Sequence, residues 1–209
     1  MITIIDYGLG NLGSIKNMLK KLGMPSEITD DHSKIEKATK LILPGVGSFD
    51  DGMKNLKEKN LIDLLNKKVL IDKIPVLGIC LGMQLMLKSS EEGILSGLNW
   101  VNGSVIKFSD SFNGEKLRIP HMGWNILYTP NNNTSKESVF SSDFEELRFY
   151  FVHSYFVEIE NPDEIAGLTE YGGKFVSAFK KDNIIGMQFH PEKSHKFGMS
   201  VLKNFIEKC

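Results

Sequence analysis

The chain has 209 residues, of which 25 are basic and 26 are acidic, so its formal net charge is -1. This balance excludes the strong positive field with which proteins attract nucleic acid or anionic membrane surfaces. Hydrophobic residues make up 41% of the sequence, an ordinary fraction for a soluble globular protein. We therefore expect neither a nucleic-acid partner nor a membrane segment. The two cysteines, Cys80 and Cys209, do not suggest a disulfide framework, and a reducing cytoplasm is the simpler setting.

The first half of the chain alternates predicted strands and helices. Apolar runs predict strands over residues 2–6, 40–43 and 75–79. Between them, helices are predicted by Leu12, Ile15, Leu19 and Leu22 at helical spacing, by residues 33–38, and by a helix that Ser48 caps and that carries Phe49, Met53, Leu56 and Leu64. Strands separated by helices imply right-handed crossovers and a mostly parallel sheet.

The second half of the chain has a different pattern. Strands are predicted over residues 101–108, 149–157, 165–169, 175–179 and 184–189, and the short turns between them favour antiparallel pairing. Residues 131–138 are polar and predict a mobile loop. The last helix places Phe197, Val201, Leu202, Phe205 and Ile206 on one face, which we expect to dock on the core. No linker divides the chain, so residues 1–209 are expected to form one α/β domain.

Residues 78–82 contain a candidate cysteine nucleophile. Residues 78–82 read Gly-Ile-Cys-Leu-Gly and connect the predicted strand at 75–79 to a helix start. Small neighbours permit a sharp turn that presents Cys80 at its apex, and a helix N-terminus behind the sulfur favours the reactive thiolate. The alternative is a structural cysteine buried between two packing glycines.

A cysteine nucleophile needs a base, and the base needs an orienting group. His190 follows the predicted strand at 184–189, and Glu192 comes two residues later, with a proline between them. Glu192 can hold the imidazole in the tautomer whose other nitrogen faces the sulfur. Other histidines such as His121 and His153, taken alone, are more simply read as satisfied core or surface residues.

Gly-Ile-Cys-Leu-Gly at 78–82 and Phe-His-Pro-Glu at 189–192 together resemble the signatures of class I (triad) glutamine amidotransferases. Further segments are similar to the glutaminase subunits of imidazole glycerol phosphate synthase: they lie at residues 6–11, 44–49, 120–125, 151–155 and 191–194. The resemblance covers the whole chain in order. It implies a flavodoxin-like fold, a glutaminase and no metal or organic cofactor.

The resemblance also implies the roles of individual residues. Cys80 would attack the glutamine amide, His190 would transfer protons and Glu192 would orient His190. The tetrahedral oxyanion would be bound by the N–H of Leu81 and by a second donor in residues 44–47, expected at Gly47. A plain turn is the alternative for residues 44–47. Gln84, His153, Ser154 and Tyr155 match positions that hold glutamine, although Tyr155 fits a core role equally well.

The resemblance further implies a partner. No synthase domain is attached, so ammonia would pass to a separate cyclase subunit, a (βα)8 barrel, docked near Asn11, Trp124 and Lys193. Glutamine hydrolysis should then be nearly silent without this partner. A paralogous subunit that supplies a surface-sugar amidotransferase matches the sequence nearly as well. A redox sensor or a non-catalytic relative is disfavoured by His190 and Glu192, since neither role requires that pair.

Overall fold

The structure of the chain is a computed structural model that describes residues 1–130, 138–141 and 144–209. Its central feature is a ten-stranded mixed sheet in the order β2–β1–β3–β4–β14–β13–β11–β6–β5, with β12 paired to β13. The strands are β1 Ile2–Ile5, β2 Ser26–Thr29, β3 Lys40–Leu43, β4 Val76–Ile79, β5 Ser89–Ser90, β6 Gly103–Lys107, β7 Ser111–Phe112, β8 Glu115–Lys116, β9 His121–Leu127, β10 Leu147–His153, β11 Tyr155–Ile159, β12 Ile165–Glu170, β13 Lys174–Lys181 and β14 Ile184–Met187.

The helices lie on both faces of this sheet. They are α1 Leu12–Lys21, α2 His32–Glu36, α3 Phe49–Glu58, α4 Leu61–Asn66, α5 Leu81–Leu85 and α6 His195–Lys208, with a π-helical turn Lys67–Ile71 and 3-10 turns Pro162–Glu164 and Pro191–Lys193. Successive residues of β3 enter different cores: Leu41 and Leu43 pack with α3, α4 and α5, whereas Ile42 packs with α1 and α6. This alternation follows from the two-residue period of a strand. Among the described residues, no helix combines the length and the apolar character needed to cross a lipid bilayer.

The predicted parallel core is confirmed. The strands β2, β1, β3, β4 and β14 pair in parallel, and β13, β11 and β6 continue the sheet with antiparallel pairs. In parallel strands the carboxyl ends lie at one edge, where ligands of open α/β sheets bind. Pro44, Cys80 and Gln188 directly follow β3, β4 and β14, so these three residues meet at that edge.

Several predicted boundaries were wrong. The helix predicted from Phe49 to Leu64 is two helices, because Asn60 adopts a left-handed conformation with φ 55° that ends α3 and starts α4. Ser48 caps α3 as predicted, and its side chain accepts a hydrogen bond from the Asp51 N–H. The strand Ser26–Thr29 was not assigned from the sequence.

The predicted strand at 149–157 is also two strands. β10 pairs with β9 in a separate two-stranded ribbon, whereas β11 joins the main sheet, and Ser154 lies between them. The last helix docks as predicted through the buried Val201, Leu202 and Phe205. The loop predicted at 131–138 lies outside the described residues, apart from Ser138.

Candidate active site

Cys80 occupies a sharp turn between β4 and α5, as the spacing of its glycines predicted. Its backbone has φ 52° and ψ -110°, a conformation that non-glycine residues rarely adopt. The flanking glycines allow the helix to approach the sheet: a Cβ on Gly78 would lie 2.8 Å from Gly82 O, and one on Gly82 would lie 1.8 Å from Leu43 O. A larger side chain at either position would displace backbone, so the turn that presents Cys80 depends on both glycines.

His190 and Glu192 form a buried pair beside this turn. His190 Nδ1 lies 2.9 Å from Glu192 Oε1, and each side chain is only 2% exposed. Since the carboxylate accepts, Nδ1 carries the proton, and the buried Nε2 has no hydrogen-bond partner among the described residues. Burial lowers the pKa of His190, but the Cys80 and Glu192 side chains together raise it more, to about 10. These two partners therefore favour the imidazolium form, in which His190 holds the proton given up by the Cys80 thiol.

The turn that carries this pair is held by β10. His190 N–H donates to Tyr150 O at 2.9 Å, and the buried Ser194 hydroxyl accepts from Tyr150 N–H at 3.0 Å. The same hydroxyl donates to His190 O at 2.6 Å. The position of the imidazole thus depends on a strand that lies far away in the sequence.

A cavity of about 260 Å³ brings the predicted site residues together. It is lined by Val46, Gly47, Cys80, Leu81, Gln84, Glu92, Pro120, Val152, His153, Ser154, Tyr155 and His190. All the residues predicted for catalysis, oxyanion binding and substrate binding line this cavity, except Glu192, which lies behind His190. The described residues include no group of three or more His, Cys, Asp or Glu side chains that could hold a metal ion.

Residues 44–47 lie beside the cavity, which Val46 and Gly47 line. Tyr7, which is fully buried, donates its hydroxyl proton to Pro44 O at 2.5 Å. Burial, and to a lesser extent Cys80, raises the pKa of Tyr7, so the hydroxyl keeps its proton. A Cβ on Gly45 would lie 2.7 Å from the Leu81 Cβ, so this segment packs directly against the helix start. Gly47 is exposed and has φ 138°, a conformation that favours glycine.

The predicted substrate-binding side chains already have protein partners. Gln84 Nε2 donates to Tyr155 O at 3.2 Å and to Gln188 Oε1 at 3.0 Å. His153 Nδ1 donates to Tyr155 O at 2.7 Å, and its Nε2 accepts from His121 Nδ1 at 2.9 Å. Burial lowers the pKa of His121 to about 4 and that of His153 to about 3, so both rings are neutral at pH 7.

Sequence reasoning did not identify the contributions of Glu92, Gln188 and Tyr7 to this site. Glu92 lines the cavity, and its carboxylate accepts a hydrogen bond from Phe49 N–H at 2.8 Å at the start of α3. Burial is the main cause that raises its pKa. Gln188 directly precedes the Phe-His-Pro-Glu motif, which was its only signal, and Tyr7 lies in the Asp-Tyr-Gly segment after β1. Their contacts arise between distant segments, so no local pattern predicts them.

The residues predicted to contact a partner lie on the surface. Asn11 and Lys193 are exposed, and Trp124 is 48% exposed. Trp124 stacks on the His195 ring at 5.7 Å between centroids, and Lys193 Nζ lies 5.5 Å from the centroid of the Tyr150 ring. The segment around Trp124 forms β9, in which every residue from His121 to Leu127 pairs with β10.

Comparison with known proteins agrees with this geometry. The glutamine amidotransferase class-I family matches residues 3–209. Imidazole glycerol phosphate synthase subunit HisH 2 of Methanococcus maripaludis is 57% identical over the full length of both chains, and the protein of the same name from Pseudomonas aeruginosa is 45% identical over 99% of both. The solved structure of PurLQS from Thermotoga maritima superposes with a TM-score of 0.71 at 20% identity, covering 98% of this chain and 96% of that chain. The chain therefore belongs to the class I glutamine amidotransferase family.

Proposed function

We propose that this chain is the glutaminase subunit of an imidazole glycerol phosphate synthase. It hydrolyses glutamine to glutamate and ammonia, and it delivers the ammonia to a separate cyclase subunit in histidine biosynthesis. The observation that carries this proposal is the buried His190–Glu192 pair, which shares one cavity with Cys80 at a strained turn. The full-length similarity to subunits of that synthase supports the choice of pathway.

The geometry supports a thioester mechanism. The thiol proton of Cys80 passes to His190 Nε2, and the thiolate attacks the carbonyl carbon of the glutamine side-chain amide. His190 then gives this proton to the departing ammonia as the carbon–nitrogen bond breaks. Water attacks the resulting glutamyl thioester while His190 acts as base, and Cys80 is regenerated. A raised His190 pKa suits the first half of the cycle, in which an imidazolium must donate.

The developing oxyanion requires N–H donors that point into the cavity. The N–H of Leu81, at the start of α5, is one candidate, and that of Gly47, which also lines the cavity, is the other. We infer that the peptide of Gly47 moves between an inactive and an active orientation when the partner binds.

The remaining walls suit the amino-acid end of glutamine. Glu92 is a carboxylate that can pair with the substrate's α-ammonium group. Gln84 uses its amide nitrogen for Tyr155 and Gln188, so it offers only its carbonyl oxygen, an acceptor, to the same ammonium group. His153 has both ring nitrogens occupied, and it contributes a neutral wall rather than a charge.

The partner of this chain is inferred to be a (βα)8 cyclase that docks on Asn11, Trp124 and Lys193. Trp124 contacts the Tyr150 ring at 6.4 Å between centroids, and the carbonyl of Tyr150 accepts the His190 N–H. Tyr150 therefore connects a protein that covers Trp124 to the backbone that positions His190. Exposed tryptophans are also favoured as interface anchors.

We further infer that residues 1–209 act as one domain in the cytoplasm. Strands from both halves of the chain share the main sheet, since β14 pairs directly with β4. Cys80 and Cys209 are free thiols, as a reducing compartment would keep them.

The test is identification of the ammonia acceptor. The chain is co-expressed with the (βα)8 cyclase of its own organism, and glutamine-dependent formation of imidazole glycerol phosphate is measured. Cys80→Ala serves as the control, since it should lose the glutamine-dependent reaction and keep the reaction with added ammonium salt. Complex formation with an ATP-dependent sugar amidotransferase, without any with the cyclase, would overturn the assignment to histidine biosynthesis.

A further inference from the structure

Two buried side-chain amides lie directly behind the nucleophile. Gln188 is fully buried, and its Nε2 lies 3.6 Å from Cys80 Sγ. Gln84 is 5% exposed and contacts Gln188 on the side away from the sulfur. Gln188 does not line the cavity, so it lies beneath the sulfur and leaves the substrate's approach open.

The orientation of both amides follows from one backbone carbonyl. Tyr155 O can only accept, so the Gln84 atom that lies 3.2 Å from it must be the amide nitrogen. The same nitrogen lies 3.0 Å from Gln188, so the Gln188 atom in that contact must be its oxygen. The Gln188 nitrogen is then the atom that faces the sulfur. Reversing either amide would place two donors or two acceptors in contact.

A further polar contact of the sulfur favours only the thiol. Cys80 Sγ lies 4.0 Å from Val152 O, to which a thiol can donate but which repels a thiolate. The Gln188 amide donates to either form, and a hydrogen bond to an ionised acceptor is about twice as strong as a neutral one. Gln188 carries no titratable proton, so it remains a donor throughout the reaction.

We propose that Gln188 is a further catalytic residue of the glutaminase, donating a side-chain hydrogen bond that stabilises the Cys80 thiolate and holds the sulfur in place. Gln84 is the positioning residue that keeps the Gln188 nitrogen turned toward the sulfur. The thiol proton still passes to His190 Nε2, and the amide keeps both its protons. The catalytic role of Gln188 rests on the proposed function, whereas its contact with the Cys80 sulfur can be measured without glutamine.

The test measures the alkylation rate of Cys80 by iodoacetamide as a function of pH, in a Cys209→Ser background that leaves one cysteine. The variants are Gln188→Leu, which removes the donor, and Gln188→Glu, which keeps the shape of the side chain but replaces the donor with a carboxylate. The matched control is Ser177→Ala, which deletes a buried hydroxyl from the strand beside Gln188, where its partner is Thr169 rather than the sulfur. All variants keep the titratable groups already present around the sulfur, and only Gln188→Glu adds one. These groups are His190, Tyr7, His153 and Glu92.

The midpoint of the alkylation profile is expected to rise by about one pH unit in Gln188→Leu, the shift that corresponds to losing a hydrogen bond to a charged group. It should rise further in Gln188→Glu and stay unchanged in Ser177→Ala. In the presence of the partner, kcat for glutamine hydrolysis should fall about tenfold in Gln188→Leu, in step with the midpoint. Thermal unfolding identifies any variant that has lost its fold. If Gln188→Leu does not fold, Gln188→Glu provides the test.

An unchanged midpoint in a folded Gln188→Glu protein would overturn the proposal, as would an equal shift in Ser177→Ala. These outcomes are separate from failure of the proposed function. A wild-type protein that hydrolyses no glutamine with its partner, yet shows the Gln188-dependent midpoint, would overturn the glutaminase and retain the contact. An active glutaminase with an unresponsive midpoint would overturn only the role of Gln188.

Discussion

The hydrogen bond from Tyr7 to Pro44 leads to a prediction for both stability and activity. Tyr7→Phe keeps the buried ring and removes only the hydroxyl that donates to Pro44 O. Tyr7 is fully buried and Pro44 is buried, so water cannot easily replace the lost donor. A buried carbonyl left without its partner costs about 1–3 kcal/mol.

This free energy converts to a measurable shift. For a chain of this length, 1 kcal/mol lowers Tm by roughly 2–4 °C. Tyr7→Phe should therefore unfold about 2–12 °C below the wild type in a thermal scan. The activity should also fall, because Pro44 begins the segment that carries Gly47, the proposed oxyanion donor. The upper limit of that fall is about 10²–10³ in kcat, the cost of losing one oxyanion donor outright.

Tyr171→Phe is the matched control. Tyr171 also donates its hydroxyl to a backbone carbonyl at 2.5 Å, that of Arg118, but this bond is exposed to solvent. Water can replace it, so its loss should cost less than about 1 kcal/mol and leave glutamine hydrolysis unchanged. If Tyr7→Phe matched Tyr171→Phe in both Tm and kcat, the Tyr7 hydroxyl would have no role in holding residues 44–47.

The remaining predictions concern the triad, the oxyanion segment and the partner. Cys80→Ala should abolish glutamine hydrolysis while the ammonium-dependent reaction of the complex survives, and residual hydrolysis would remove Cys80 from its role. His190→Asn should lose roughly 10²–10⁴-fold in rate, and the double variant with Glu192→Gln should be no slower, since the two act as a unit. Because the folded-state pKa of His190 is raised to about 10, its contribution to stability is complete below about pH 6.5 and is lost as the pH rises toward 10. As the pH rises from about 6.5 to about 10, the unfolding free energy of the wild type should therefore fall by more than that of His190→Asn. Curves of unfolding free energy against pH that run parallel for the two proteins would contradict the raised pKa. Gly47→Pro, which forces φ from 138° to about -65°, should block the rise of at least about 10²-fold that the loaded partner produces, without preventing complex formation. Trp124→Ala should weaken binding of the cyclase at least about tenfold and leave Tm nearly unchanged, whereas equal affinity would place the interface elsewhere.

The contact between His190 and Glu192 was predictable because the two residues are close together in sequence. His190 and Glu192 are two residues apart, and a proline between them restricts the backbone, so their contact is decided locally. The turn at Cys80 was predictable for a similar reason, since Gly78 and Gly82 leave room for the close approach of α5. The parallel core followed from apolar runs separated by helices, a pattern that depends only on hydrophobic spacing.

Other features arose only in the tertiary structure. The sequence shows one β-rich run at 149–157, but β10 before Ser154 pairs with β9 outside the main sheet, whereas β11 after it pairs within the main sheet. Strand propensity is equal on both sides of that break, so only pairing decides where it falls. The segment around Trp124 became a strand for the same reason.

The surroundings of Cys80 show most clearly which features depend on local sequence and which depend on tertiary structure. The sequence by itself determined that Cys80 is presented at a turn and that His190 has an orienting carboxylate, because both depend on neighbours within four residues. Only the tertiary structure decided that Tyr7 holds Pro44, that Glu92 enters the cavity and that Gln188 faces the sulfur. These contacts join segments 37 to 108 residues apart, and hydrogen bonds over such distances are set by how the strands align at one edge of the sheet.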